Sequence, residues 1–364
     1  MALPEDDDRH QIYLAKLATG LLNSEVYPSM DAAYRAIRAA LLDAEELNTE
    51  RKMVQVMNAS GKIIKEEYGG GLAGLTKGLE EMAIYEAGFY ASLLAQYSDA
   101  KYSTPAKKDV LSFINKSIMT LQSGKRINAG VWADYVQGAI ESQAKAINGA
   151  IVAGYQQGRT VNQISRDIRD LYNGILVQEA EALARTGQAH YALSAREAMA
   201  EANPQIKYRV YQATFDNRTS LGCRALHGKS WPIASNDYVR LPRHFNCRSV
   251  YLFVESLDQA KRGEQPSVGG KQAEKINPNR KLKYRGKRDT DIFKPERISA
   301  AETQDAWLRD QPDWFIESAL GKTRAKLFKD GKMNIKKFTD MTGEQINLDD
   351  LRRLDAEAFE RAGL

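Results

Sequence analysis

Cysteine and histidine are scarce in this sequence: 364 residues contain two cysteines and four histidines. Two cysteines cannot staple a chain of this length, so a disulfide framework of the kind that holds small secreted domains is excluded; the thiols are left as ligands, nucleophiles or core groups. Long apolar runs are missing too. Nothing approaches the roughly 18 residues of a membrane-spanning segment, and the opening MALPEDDDRH is acidic where a secretory signal is basic and then apolar. The expectation is a soluble protein made in a cytoplasm. Charge excess is small at a formal +5, so where the positive charge sits matters more than its sum. The 43% hydrophobic and 27% charged content is ordinary globular chemistry, and the length suggests two or three domains.

From Asp8 to about Gln122 the apolar residues fall at three-and-four spacing, as in DAAYRAIRAALLDAEEL and GLEEMAIYEAGFYASLLAQY. This predicts helices, with Asp31 as an N-cap and Gly69, Gly70 and Gly71 as a hinge between two of them. No Lys-Ser or Lys-Thr follows those glycines at phosphate-loop spacing. A second helical block runs from about Asn128 to Ala202, with a break at Tyr172 to Gly174. The period then changes to alternation. KYRVYQATF (Lys207 to Phe215) and RSVYLFVES (after Cys247) read as strands, separated by turn formers that include Asp216, Asn217, Gly222, Gly228, Pro232 and Pro242. After Glu255 the chain becomes poor in apolar residues and rich in Gly, Pro and Lys/Arg. Lys275, Arg280, Lys281, Lys283, Arg285, Lys287 and Arg288 follow one another with no acid between them. From Ile298 the helical patterning returns, with Trp307 and Trp314 as anchors of the last helices. The fold class expected is α+β: mainly helical, with a small antiparallel sheet and a crossed Cys/His loop in the central domain. The segments expected are an N-terminal helical domain (1–128), a central domain (129–256), a basic linker (257–297) and a C-terminal helical segment (298–364).

Both cysteines and two of the histidines lie within the 25 residues from Cys223 to Cys247. Cys223 and His227 stand four apart, one face of a helical turn, and His244 and Cys247 stand three apart, which suits a knuckle turn. Two such pairs are what a tetrahedral Zn2+ needs, and thiolate with imidazole favours zinc over calcium or magnesium. Four protein ligands, Cys223, His227, His244 and Cys247, would close the coordination sphere and make the ion structural. The enzymatic alternative is a nucleophilic Cys223 activated by His227 or His244 and oriented by Asp216. A hydrated deaminase zinc is excluded, because its His-x-Glu with a nearby Cys-x-x-Cys is missing.

DNRTSLGCRALHGKSW followed by PRHFNCRSVYLFV resembles the signature of the phage Mu F-like head-morphogenesis family, minor head proteins encoded beside the portal protein in tailed bacteriophages. AINGAIVAGYQQGRTVNQISRDI and EALARTGQAHYALSAREAM are similar to that family's earlier helices, and the resemblance covers about Val131 to Glu255. Many members carry further cysteines where Ser220 and Ser249 stand here, and an acid where Gly187 stands. The resemblance implies a non-enzymatic minor capsid protein in the interior of the phage head, present in the host cytoplasm during assembly. Its partners would be the portal protein, the major capsid protein or a scaffold protein, and it would take part in DNA ejection. The basic run of the linker is expected to contact double-stranded DNA non-specifically, since lysines and arginines neutralise phosphates without reading bases; a solvated tether explains the same run. The alternative function is a metal-dependent nuclease or other enzyme carried in the virion, for which only Asp216 and Asp237 stand near the Cys/His segment. Arg185 is expected to be a structural ion partner, and His190 a packing or hydrogen-bonding residue.

Overall fold

The computed structural model describes residues 2–123, 126–270 and 296–364. Helix α1 (Leu3–Leu21) runs through a π-helical turn (Leu22–Val26) into α2 (Tyr27–Asp43), and both pack against the long α3 (Glu50–Leu94). In α2 the buried positions Met30, Ala33, Ile37 and Leu41 form the expected stripe. Asp31 is not its N-cap: the helix starts four residues earlier with Pro28 in its first turn, and Asp31 pairs with Arg35 at 3.0 Å. The N-cap role falls on Thr49, whose hydroxyl accepts the Lys52 N–H at the start of α3.

No hinge lies at Gly69, Gly70 and Gly71, because α3 passes through them unbroken. Gly71, Gly74 and Gly78 instead lie on one face, against the π turn and its flanks. A Cβ at Gly71 would stand 2.0 Å from Ser29 Oγ, at Gly74 2.4 Å from Glu25, and at Gly78 2.3 Å from Leu21. Missing side chains here allow close helix packing, and that contact outweighs glycine's poor helix propensity.

The chain continues through α4 (Lys107–Lys116) and an antiparallel hairpin of β1 (Met119–Ser123) and β2 (Arg126–Gly130), which the helical reading of this stretch missed. Helices α5 (Trp132–Gln156), α6 (Val161–Asn173) and α7 (Ile175–Glu201) follow, with the break at Gly174 where the sequence places it. Thr160 and Gln163 form a capping box at the start of α6. From Leu183 to Ala200, α7 is buried on nearly every face. At Gly187 a Cβ would meet the Trp132 ring at 2.5 Å, so the family's acid has no room at this position.

Three helices meet at a buried ion network. Arg196 of α7 lies 2.6 Å from Asp7 of α1 and 2.5 Å from Glu86 of α3, while the other Glu86 oxygen contacts His10 at 2.5 Å. The guanidinium also stacks over the Tyr90 ring at 4.2 Å. Burial pushes the Glu86 carboxyl up, but Arg196 and His10 outweigh it and hold it below its ordinary value.

Strands β3 (Tyr208–Gln212), β4 (Ser230–Pro232) and β5 (Val250–Val254) form one antiparallel sheet in the order β4-β3-β5, with Val210 opposite Ser230 on one side and Leu252 on the other. The chain between β4 and β5 therefore crosses past β3, giving the mainly helical α+β fold with the crossed loop that the sequence predicts. One hydrophobic core runs from Leu3 to Ala260 and draws on the helices of both the 1–128 and the 129–256 segments. A second core joins the C-terminal helices to Phe215, Leu221 and Ala225; in it Trp307 stands edge-on to Phe215 and Phe315. Strands β6 (Glu264–Ser267) and β7 (Glu296–Ser299) pair across the segment that is not described. Among the described residues no helix is long and apolar enough to cross a membrane.

The glycine stripe yields a discriminating test. A hinge or an open helix position would gain up to about 1 kcal/mol from Gly71→Ala, whereas packing against Ser29 and Glu25 predicts a loss of about 1–3 kcal/mol by urea unfolding.

Candidate metal centre

The centre is built on a turn and a short helix. Asp216 Oδ1 accepts the Arg218 and Thr219 N–H groups at 3.0 and 2.9 Å and the Thr219 hydroxyl at 3.0 Å, which folds the Asp-Asn-Arg-Thr stretch into an Asx turn. Ser220 then caps helix α8 (Leu221–Leu226) through the Cys223 N–H. From the other side of the crossed loop Arg248 reaches both Asp216 oxygens, the Oδ1 contact at 2.9 Å. Burial raises the Asp216 carboxyl, and Arg248 overrides it and holds it low. This pair pulls Cys247, one residue before Arg248, towards Cys223 on α8.

The second half of the site is shaped by α7. Arg185 donates to Asn246 Oδ1 at 2.7 Å and pairs with Glu181 at 3.3 Å, and the Thr186 hydroxyl accepts the Asn246 N–H at 3.2 Å. Arg185 is thus the structural partner expected of it. Asn246 sits at φ 60°, a left-handed conformation that asparagine tolerates, and the Cys247 N–H closes the turn on the His244 carbonyl at 3.1 Å.

Cys223, His244 and Cys247 come together, with all three potential ligand atoms within 4.8 Å of one another. Cys223 Sγ lies 3.5 Å from His244 Nε2 and 4.0 Å from Cys247 Sγ. His244 Nδ1 donates to the Phe245 carbonyl at 2.9 Å, which turns Nε2 towards the sulfurs, and the hydrogen bond with Cys223 raises the imidazole above its ordinary value. Around them the Tyr211 hydroxyl donates to Cys223 Sγ at 3.2 Å, and Ser220 Oγ lies 3.2 Å from His244 Nε2. Sequence reasoning did not single out Tyr211, and it read Ser220 only as a departure from the family; alternation along β3 and the capping preference of serine are the signals that point to them. Contact with Cys247 holds the Cys223 thiol well below its ordinary value against the opposing effect of burial, with help from His244, while Cys247 is pushed well above it. One thiolate therefore stands ready, and the second thiol keeps its proton until an ion displaces it.

His227 is held elsewhere. Helix α8 ends at Leu226, and the His227 backbone turns extended. Its Nδ1 accepts the Ala213 N–H at 3.1 Å, its other hydrogen bond goes to the Glu302 carbonyl, and its ring stands edge-on to Phe215. The expected four-ligand set thus becomes three among the described residues. The soft S, N, S donors fit zinc, with one coordination position left for water or a neighbouring hydroxyl. Asp216 is spent on its turn and on Arg248, and Asp237 lines a separate cleft with Trp231 and Arg240. The basic residues Lys275, Arg280, Lys281, Lys283, Arg285, Lys287 and Arg288 lie outside the described residues.

Two outcomes follow from this geometry. Reduced protein should take up one zinc per chain; Cys223→Ser or His244→Ala abolishes uptake by elemental analysis, while His227→Gln keeps the metal and loses thermal stability. Burial lowers both His190 and His227 to about 4. Each stays neutral in the fold while its unfolded form binds a proton below about pH 6.5, so each withdraws roughly 3 kcal/mol of stability as pH falls from 6.5 to 4. Denaturant midpoints across that window should decline, and His190→Asn should flatten the decline by one proton's share.

No curated protein and no solved structure matches the chain. A family model does. Residues 145–252 match the family described as Phage Mu protein F like protein, so the stretch from α5 through the crossed Cys/His loop into β5 is similar to that family, as its motifs indicated.

Proposed function

We propose that this chain is a minor head-morphogenesis protein of a tailed bacteriophage, non-enzymatic, acting near the portal inside the head. The observation that carries the reading is the match over residues 145–252, together with the way its motif residues are spent. Asp216, Thr219, Arg185 and Arg248 hold the turns, and Cys223 and Cys247 are buried. These are the uses of residues that shape a surface for assembly. In this reading the Cys/His cluster holds a structural Zn2+ that fixes the crossed loop against α8. The ion would do there what apolar burial does poorly for a small sheet. Portal, capsid or scaffold protein is the partner, and the lysines and arginines between Lys275 and Arg288 lie along packaged or ejected duplex DNA.

A three-ligand set favours a second reading, because catalytic zinc sites keep one open position. A virion-borne nuclease would then use the ion to activate water for phosphodiester hydrolysis. Against it, both available carboxylates are engaged or remote, as described above.

The test is mass spectrometry of purified phage heads, with and without the gene, beside incubation of the pure protein with linear duplex DNA in Mg2+, Mn2+ or Zn2+. Presence of the chain in heads, defective heads in its absence and intact DNA support the assembly role. Metal-dependent cleavage that is lost in His244→Ala transfers the reading to the nuclease, and absence from heads removes the assembly role. Mobility shift of random-sequence duplex should weaken steeply with salt, and replacing Lys275 to Arg288 basics by glutamine should remove it; an unchanged shift rejects the basic run as the DNA contact.

A further inference from the structure

A cleft of about 440 Å3 lies between α1, α7, the end of β3 and the 246–250 stretch, and it shares Cys247 with the cluster. Its size falls within the range of small-molecule sites. The floor is apolar, with Phe215 and Leu252 each 1% exposed. Above that floor several side chains have no polar partner among the described residues. Gln188 is 9% exposed and faces the cleft, and among the described residues its amide meets no hydrogen-bonding group. Gln212, half-buried at the end of β3, likewise has no side-chain hydrogen bond among the described residues. At the rim the Arg218 guanidinium meets no carboxylate among the described residues, although its own backbone is fixed by Asp216. Arg248 stands at the same rim, 40% exposed behind its pair with Asp216.

Two amides and a guanidinium are thus presented over an apolar floor with their hydrogen-bonding capacity unused by the described side chains. Two acids line the opposite wall. Asp7 lies 2.6 Å from Arg196, a guanidinium it shares with Glu86, and Asp8 lies 3.8 Å from Arg297. Arg185 and Arg248 are paired with Glu181 and Asp216, which leaves Arg218 as the lining cation with no carboxylate among the described residues.

We propose that this cleft binds a small organic anion, a carboxylate or phosphate carried on an apolar body, with Arg218 receiving the anionic group and Gln188 and Gln212 hydrogen-bonding to the body. The chemistry is shared by a peptide C-terminus and by a phosphomonoester. Calorimetry on the full chain with N-acetylphenylalanine, its carboxamide and thymidine 5′-monophosphate separates the sources. One of the two anions should saturate at about 1 mM or below, and the carboxamide should bind at least about tenfold more weakly than the acid if the acid is the one bound. Arg218→Ala and Gln188→Leu should each weaken the bound anion by about tenfold or more. Arg218 is exposed, so an unchanged thermal midpoint shows that its variant is folded. Preference for N-acetylphenylalanine assigns the site to a peptide terminus, and preference for the nucleotide assigns it to phosphate. No saturable binding of either anion, or binding unchanged in both variants, overturns the site.

Discussion

One guanidinium ties the helical framework together. Arg196 has no escape to water, and its charge is tolerable only because Asp7 and Glu86 arrive from two other helices and Tyr90 covers its face. Taking such groups out of water costs several kcal/mol for each ion, so the network adds little net stability over a well-packed apolar core. It adds selectivity. A sliding or rotation of α1 against α3 or α7 would strand a buried charge, at a cost of about 3–5 kcal/mol, so one mutual arrangement of the three helices is strongly preferred. The floor of the Cys/His region is α7, and its placement is inherited from that choice.

A second ion pair does comparable work nearer the site. Asp216 and Arg248 lie on the two flanks of the crossed loop, 32 residues apart in the chain. Their pairing, with the Asx turn on one flank and the Arg185–Asn246 contact on the other, decides which side chains meet in the middle. Cys223 and Cys247 are neighbours because the residues beside them are clamped.

The sequence showed much of this and hid particular parts for physical reasons. Alternation marked β3 and β5, and the distance between them marked the crossed loop. Spacing singled out the four Cys and His residues but could not tell a ligand from a core histidine, because an i, i+4 pair shares a face only while the helix lasts, and α8 stops one residue before His227. The glycines of α3 were read as a break because propensity favours that reading; their true role depends on Ser29, Glu25 and Leu21, which lie some 40 to 60 positions upstream. The β1–β2 hairpin was hidden in a stretch whose neighbours on both sides are helical. Arg196 gave no signal at all, since nothing local distinguishes a buried arginine from the solvated ones around it.

The core that runs unbroken from Leu3 to Ala260 bears on how such a chain can change over time. The phage Mu F-like region supplies α7 and α6, which packs on it, while α1, α3 and α4, which also pack on α7, come from sequence outside that region. Drift in that outer sequence is therefore constrained from within: every substitution on the inner faces of α1 or α3 must be answered by the recognisable region, or absorbed by it. The match begins at residue 145, within α5, and the packed interior continues across that border without a break.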